Sequence, residues 1–130
     1  MTLVSIITPS FNQAKYLEQT IRSVLSQDHP RIEYIVMDGA STDGSVDVIE
    51  TYADKLTYWE SQKDNGQADA INKGFARASG DIVAWLNSDD FYLPGTVSAA
   101  VEVFCGNPEG VLGYGHMLAV GENGATFNTL

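Results

Sequence analysis

The segment Asn87-Ser88-Asp89-Asp90 holds the residue types with the clearest chemical potential in this chain. It directly follows the apolar run from Asp81 to Leu86, so two adjacent carboxylates stand at the end of a predicted buried strand. Carboxylates in such a place are costly unless a cation neutralises them. Their oxygens suit Mg²⁺ or Mn²⁺, which are commonly held by one or two carboxylates plus the phosphates of a substrate. The segment therefore indicates a metal-diphosphate site at Asp89 and Asp90; the alternative is a turn that Asp90 caps.

Two further polar segments follow predicted strands. Pro9-Ser10-Phe11-Asn12 comes after the run from Leu3 to Thr8, and the segment from Asp38 to Gly44 comes after the run from Ile32 to Met37. Ligands of open α/β sheets bind at the carboxyl ends of the strands. The sequence therefore predicts one pocket at this edge, with room for a base, a sugar and a diphosphate.

Strands and helices alternate along the sequence. The predicted strands are Leu3 to Thr8, Ile32 to Met37, Leu56 to Trp59 and Asp81 to Leu86, and helical spacing follows each of them, with Asn12 as the expected N-cap of the first helix. Such alternation implies right-handed βαβ crossovers. We therefore expect an α/β fold with a mainly parallel, doubly wound sheet, in a single domain over residues 1–130, since no linker or repeat divides the chain.

Composition limits the function classes. The 130 residues are 44% hydrophobic, and the net charge of -10 argues against a nucleic-acid surface or a grip on anionic lipid. The single Cys105 excludes an internal disulfide, and we expect it to pack in the core. No apolar run approaches the ~20 residues of a membrane span. These features predict a cytoplasmic location.

Missing motifs disfavour several nucleotide-binding classes. No Gly-rich fingerprint follows the first strand and no Gly-Lys-Ser/Thr loop occurs, which disfavours dinucleotide and P-loop chemistry. A response-regulator receiver has similar size, but it would carry its Asp pair after the first strand, where this chain has Thr8-Pro9-Ser10. A sugar-1-phosphate nucleotidyltransferase would open with a Gly-rich basic loop, which is also absent.

As a set, several segments resemble the family 2 glycosyltransferases with the GT-A nucleotide-diphospho-sugar fold. The matching segments are Leu3 to Asn12, Arg22 to Gln27, Asp38 to Gly44, Ala70 to Gly74 and Leu86 to Asp90. The resemblance covers about residues 3 to 115. It implies inverting transfer of a sugar from a nucleotide-diphosphate donor to a saccharide or lipid-linked acceptor in cell-surface polysaccharide synthesis. It also implies Mg²⁺ or Mn²⁺ as cofactor, and the inner face of the membrane as a second location, reached through other segments or partners.

The resemblance assigns roles around the nucleotide. Phe11 would stack on the nucleobase, with a core aromatic as the alternative, and Asp38 would face the base or ribose, with an Asx turn to Gly39 as the alternative. Pro9 would border the same pocket. Many relatives carry a second Asp where this chain has Gly39, so the expectation that the base is uracil is weakened.

The resemblance also assigns roles around the sugar and the diphosphate. Asp89 and Asp90 would bind the metal and stabilise the departing diphosphate, while Asn87, a poorer metal ligand, would contact the donor sugar beside Ser88. The turn Asp64-Asn65-Gly66 and the N-terminus of the helix that follows it would approach the nucleotide, with Asp69 near the donor. The spacing of Asp69 to Lys73 is equally that of an exposed salt bridge.

The general base of an inverting transfer is expected well downstream of the metal segment. Glu122 lies in the turn-like Gly121-Glu122-Asn123-Gly124, and His116 is more typical of a structural residue. We therefore expect this chain to be the donor-binding half of a longer enzyme. The alternative is a non-catalytic module that binds nucleotide sugars.

Overall fold

The computed structural model describes residues 1–113, 115, 118–120 and 126–129. The elements in chain order are β1 (Val4–Ser10), α1 (Ala14–Leu25), β2 (Ile32–Asp38), α2 (Ser45–Thr51), a 3₁₀ turn (Ala53–Lys55), β3 (Tyr58–Ser61), α3 (Gln67–Arg77), β4 (Ile82–Trp85), α4 (Thr96–Gly106), β5 (Leu118–Val120) and β6 (Thr126–Thr129). This order confirms the alternation of strands and helices that the sequence predicts.

The first four strands form one parallel sheet in the order β3-β2-β1-β4. β1 lies at its centre and is buried along its whole length. The β-branched and apolar residues of this strand suit a position that is covered on both faces. Because all four strands are parallel, their carboxyl ends lie at the same edge of the sheet.

Helices cover both faces of the sheet. On one face, Ile6 and Val36 pack in a buried cluster with Leu17 and Ile21 of α1 and Ile49 of α2. On the other face, residues of β1 and β2 pack against Ala70 and Phe75 of α3, the cluster being formed around Ile7, Ile35 and Met37. The doubly wound α/β architecture predicted from the sequence is therefore confirmed.

The first and third strand-to-helix units differ locally from the sequence predictions. Asn12 is not the N-cap of α1, because the cap residue is Gln13 and Asn12 itself adopts a left-handed backbone with φ of 51°. β3 begins at Tyr58 rather than at Leu56, because Leu56 packs against the core before the strand pairing begins. The shift places Gln62 to Gly66 directly after the strand.

Two residues expected in the core are exposed. Trp85, part of the predicted buried strand from Asp81 to Leu86, lies beside Ile7 on the face covered by α3, and the ring of Phe75 meets it edge-on. It is nevertheless 54% exposed, because β4 is the last strand of the described sheet. Cys105 is exposed on α4. Apolar neighbours in the sequence therefore gave the wrong burial for both residues.

The last described strands, β5 and β6, form an antiparallel pair with Leu118 opposite Thr129. His116 and the segment around Glu122 lie outside the described residues, so the predictions made for them stay predictions. Within the part of the chain that the structure describes, no helix has the length and apolar character to span a bilayer.

Candidate functional site

A cleft of about 520 Å³ lies at the carboxyl edge of the parallel sheet. Residues from the ends of all four strands line it, namely Pro9, Ser10, Phe11, Gln13, Gly39, Lys63, Asp64, Gly66, Gln67, Asn87, Ser88 and Asp89. The sequence predicted three converging loops, and the structure adds a fourth, which follows β3. The cleft is therefore the pocket predicted from strand-end polar residues.

The loops after β1 and β2 are fastened to each other. The backbone N–H of Asn12 donates to Ser41 Oγ at 2.9 Å, and the N–H of Thr42 donates to Asn12 Oδ1 at 2.9 Å. Asp43 accepts from the Ser45 hydroxyl and from the Ala14 N–H at the start of α1, and these bonds lower the pKa of its carboxyl. The side chain that caps α1 thus comes from a distant loop.

Asp38, which the resemblance places at the base or ribose, is 2% exposed and does not line the cleft. Its carboxylate accepts from the Ser41 N–H at 2.8 Å, from the Ser41 hydroxyl at 2.6 Å and from the Ser61 hydroxyl at 2.8 Å. The Asx turn to Gly39 is replaced by these bonds to Ser41. The carboxylate holds the loop after β2 against β3, and its contact with a nucleotide stays a prediction.

Phe11 is 62% exposed at the cleft, so the alternative that it is a core aromatic is wrong. An exposed aromatic ring beside a cleft offers a face on which a planar ligand can stack. Pro9 and Ser10, which precede it in the chain and also line the cleft, are buried. Ser10 is 3% exposed, and its hydroxyl has no hydrogen-bond partner among the described residues.

The loop after β4 is held against α1. The Thr20 hydroxyl donates to the carbonyl of Asp90 at 2.6 Å, and the Tyr92 N–H donates to Ser23 Oγ at 3.1 Å. A tight turn forms within the loop, because the Asp90 N–H donates to the carbonyl of Asn87 at 3.1 Å. These bonds fix the backbone from which Asp89 enters the cleft.

Asp89 and Asp90 are adjacent, exposed carboxylates, and only Asp89 lines the cleft. Burial of part of the Asp90 side chain raises its pKa, and the negative charge of Asp89 raises it further. Neither carboxylate has an ion-pair partner among the residues that the structure describes. Asp90 does not cap α4, which begins at Thr96 with Gly95 as its cap residue.

The two carboxylates fit a divalent metal that shares its coordination with a ligand. Within the described ranges, no three His, Cys, Asp or Glu side chains come together as a protein-only metal site requires. One or two carboxylates without a Lys or Arg partner are instead typical of a metal site whose coordination substrate phosphates and water complete. The metal assignment of Asp89 and Asp90 rests on this fit and stays a prediction.

Asn87 and Ser88 both line the cleft, and their contact with a donor sugar stays a prediction. Asn87 Oδ1 accepts a hydrogen bond from Gln67 at the start of α3. Asp69, in contrast, does not line the cleft. It pairs with Lys73 at 3.1 Å and accepts from the Asn65 N–H, and these contacts lower its pKa. The structure thus contains the predicted salt bridge, and a donor role for Asp69 stays untested.

The turn from Asp64 to Gly66, which the resemblance brings toward the nucleotide, contributes Asp64 and Gly66 to the lining of the cleft, and its contact with a nucleotide stays a prediction. Sequence reasoning did not single out Lys63 and Gln67, which line the cleft from either side of this turn. The signal was present, because polar residues follow this strand as they follow the other three. The misplaced end of β3 hid it.

The four-stranded core has the fold of GT-A glycosyltransferases. It superposes on Staphylococcus aureus TarS 1-349 in complex with UDP-GlcNAc with a TM-score of 0.75 at 27% identity, covering 82% of this chain and 32% of that TarS fragment. It superposes on the mannosyltransferase PcManGT of Pyrobaculum calidifontis, in complex with GDP-Man and Mn²⁺, with a TM-score of 0.73 at 29% identity, covering 79% of this chain and 32% of that protein.

The family model "Glycosyl transferase family 2" matches residues 5–128, and the chain therefore belongs to this family. An uncharacterized glycosyltransferase of Mycobacterium tuberculosis is 44% identical over 105 residues, which are 79% of this chain and 40% of that protein. The putative teichuronic acid biosynthesis glycosyltransferase TuaG of Bacillus subtilis is 44% identical over 91 residues, covering 68% and 36%. The chain spans about a third to two fifths of the length of these relatives.

Proposed function

We propose that this chain is the donor-binding part of a metal-dependent, inverting glycosyltransferase of the hexosyltransferase type. The donor is a nucleotide-diphosphate sugar, and the acceptor is a saccharide or lipid-linked saccharide in cell-surface polysaccharide synthesis. The site works in the cytoplasm. Where other segments or partners attach the protein to the membrane, it works at the inner face. The observation that carries the proposal is one cleft with an exposed Phe11 and a carboxylate, Asp89, that has no cationic partner among the described residues.

The neighbouring structures support the donor class, since TarS is described with UDP-GlcNAc and PcManGT with GDP-Man and Mn²⁺. In this chain, Phe11 stacks on the base and Asn87 contacts the sugar. Asp89 and Asp90 would hold Mg²⁺ or Mn²⁺. Such an ion supplies Lewis-acid stabilisation of the charge that develops on the departing diphosphate.

The chain's own residues orient the donor rather than activate the acceptor. The backbone of the loop after β4 is fixed through Thr20 and Ser23, so the Asp89 carboxylate keeps its place at the cleft. A second carboxylate, Asp64, lines the cleft from the loop after β3. No residue of the cleft is assigned as the general base, which we expect in the downstream region of the longer relatives.

A panel of nucleotide-diphosphate sugars, including UDP-GlcNAc and GDP-mannose, tests the proposal by thermal shift with and without Mn²⁺. A donor at a hundred times its Kd should stabilise the fold by about 2.7 kcal/mol, and this gain should require the metal. Absence of any Mn²⁺-dependent shift at millimolar donor would contradict the proposal.

A non-catalytic module that binds nucleotide sugars is the alternative. Product formation with a panel of acceptors separates the two functions when a version extended through the downstream sequence is assayed beside this chain. Transfer by the extended version supports the enzyme, whereas donor binding without transfer in both versions supports the module.

A further inference from the structure

The carboxylate of Asp64 lies against Gly39, in the space that a side chain at position 39 would need. A Cβ added to Gly39 would stand 2.9 Å from Asp64 Oδ2 and 3.1 Å from Oδ1. The backbone of Gly39 is not left-handed, so its conformation does not require a glycine. What the missing side chain provides is room for the Asp64 carboxylate.

A hydrogen bond from the loop's own backbone holds this carboxylate at the cleft. Asp64 Oδ1 accepts from the Gly66 N–H at 2.9 Å, and the Gly39 N–H donates to the carbonyl of Ser10 at 2.9 Å. Asp64 therefore lies against Gly39, and Gly39 is hydrogen-bonded in turn to Ser10 at the end of β1. Among the described residues, no Lys or Arg forms an ion pair with it.

A second polar group at this place lacks a partner. The hydroxyl of Ser10 is buried, lines the cleft through its residue and has no hydrogen bond within the described part of the chain. An unpaired buried hydroxyl is unfavourable until a ligand or water satisfies it. The exposed ring of Phe11 follows directly. One part of the cleft thus combines a planar apolar face with a carboxylate acceptor and a free hydroxyl.

We propose that Asp64 is a specificity-determining residue that accepts a hydrogen bond from the ring N–H of the donor's nucleobase. This inference rests on the function proposed above and names its donor class. Uracil presents a ring N–H at N3 and guanine presents one at N1, whereas cytosine N3 and adenine N1 carry lone pairs that a carboxylate repels. Thymine carries the same N3–H as uracil, so the donors are uridine, thymidine or guanosine diphosphate sugars.

Calorimetric titration with UDP, GDP, CDP and ADP in the presence of Mn²⁺ tests this assignment without any need for turnover. The wild-type chain should bind UDP or GDP about tenfold or more tightly than CDP and ADP, as expected for a hydrogen bond to a charged group. Comparison of the affinities for UDP and GDP shows which of these two nucleotides the cleft prefers.

Two variants and a control locate the effect. Asp64→Asn replaces one oxygen with an amide that donates to a ring lone pair, so the preference should fall to about threefold or less. Gly39→Ala keeps every charge but displaces the carboxylate, and the preference should fall in the same way. Asp54→Asn removes a charge from the exposed 3₁₀ turn, away from the cleft, and should keep the wild-type ratio.

The outcomes are distinct. Failure of the wild-type chain to bind any of the four nucleotides would refute the proposed function itself. Binding of all four with equal affinity would overturn the assignment of Asp64 while donor binding stands. A preference that persists in Asp64→Asn or in Gly39→Ala, with circular dichroism showing both variants folded, would overturn it as well.

Discussion

Replacing Asp89 with Asn should stabilise the free protein and at the same time abolish its response to metal and donor. Asp89 and Asp90 carry adjacent negative charges in a chain of net charge -10. Because Asp89 lines the cleft and has no cationic partner among the described residues, its charge opposes folding until a ligand arrives. A binding carboxylate of this kind trades stability for function.

The expected gain in the free protein is small. Burial of the Asp90 side chain is the larger cause of its raised pKa, and this burial is unchanged in Asp89→Asn. The substitution removes only the smaller cause, which is the negative charge of Asp89. Both side chains are exposed, and screening reduces such a repulsion to about 0.2–0.5 kcal/mol. For a domain of this size, that gain corresponds to a rise in Tm of about 1–2 °C.

The pH dependence has a defined sign. A carboxyl group whose pKa is raised in the folded state favours folding in its protonated form. Its contribution is present below the ordinary pKa of an Asp and is lost as the pH rises through the raised pKa. The stabilising effect of Asp89→Asn should therefore be visible at neutral pH and should shrink in acid, and added salt should weaken it.

The ligand response has the opposite sign and is larger. A donor at a hundred times its Kd should stabilise the wild-type protein by about 2.7 kcal/mol, or roughly 5–10 °C in Tm. Asp89→Asn should lose most of this Mn²⁺-dependent shift. Scanning calorimetry of both proteins with and without Mn²⁺ and donor measures the two effects together.

Asp54→Asn is the matched control, since it removes one negative charge at an exposed position outside the cleft. It should retain the full response to Mn²⁺ and donor. If Asp89→Asn destabilises the free protein, Asp89 has a structural role that we have missed. If the variant keeps the wild-type metal response, the metal assignment is wrong.

Four further changes test the cleft and its support. Phe11→Ala should weaken nucleoside diphosphate binding by about 1–3 kcal/mol in calorimetry while unfolding changes by less than about 0.5 kcal/mol; unchanged affinity would refute stacking. Asn87→Ala should lower affinity for a nucleotide sugar but not for the free nucleoside diphosphate, and an equal loss for both would place Asn87 elsewhere. Thr8→Val removes the 2.8 Å hydrogen-bond partner of the buried Tyr34 hydroxyl and should lower the free energy of unfolding in urea by about 1–3 kcal/mol. An unchanged free energy of unfolding would mean that the hydroxyl has a second partner. Gly39→Asp should destabilise the fold because its side chain meets Asp64, and Asp64→Gly in the same chain should relieve the loss; a double-mutant coupling below about 0.5 kcal/mol would argue against the contact.

The sequence determined the class of fold because the signals were local. Strands are indicated by the apolar runs before Pro9, Asp38 and Asn87, and helices by the helical spacing between these runs. Strands that alternate with helices are joined by right-handed crossovers, which make the sheet parallel. The same runs place polar segments at strand ends, which predicts where a ligand binds. Motif order further indicated the family before any geometry was known.

The tertiary structure decided how those polar residues divide between support and contact. The resemblance assigns Asp38 and Asp69 to the nucleotide and the donor, and that assignment stays a prediction. The structure adds that Ser41 and Ser61 donate hydrogen bonds to Asp38 and that Lys73 forms an ion pair with Asp69. Whether a side chain faces a ligand or a neighbouring loop depends on residues far away in the chain, which local spacing does not encode.

Only the tertiary structure showed that Gly39 makes room for the Asp64 carboxylate at the cleft. In the sequence, the lack of a side chain at position 39 reads only as a departure from relatives. Its physical consequence is room for the Asp64 carboxylate beside the end of β2. That room depends on the distance between the ends of β2 and β3, which the packing of the sheet sets. Ser10 is buried without a hydrogen-bond partner among the described residues, and this too is a property of the folded loops, because the residue type alone does not indicate an unsatisfied hydroxyl.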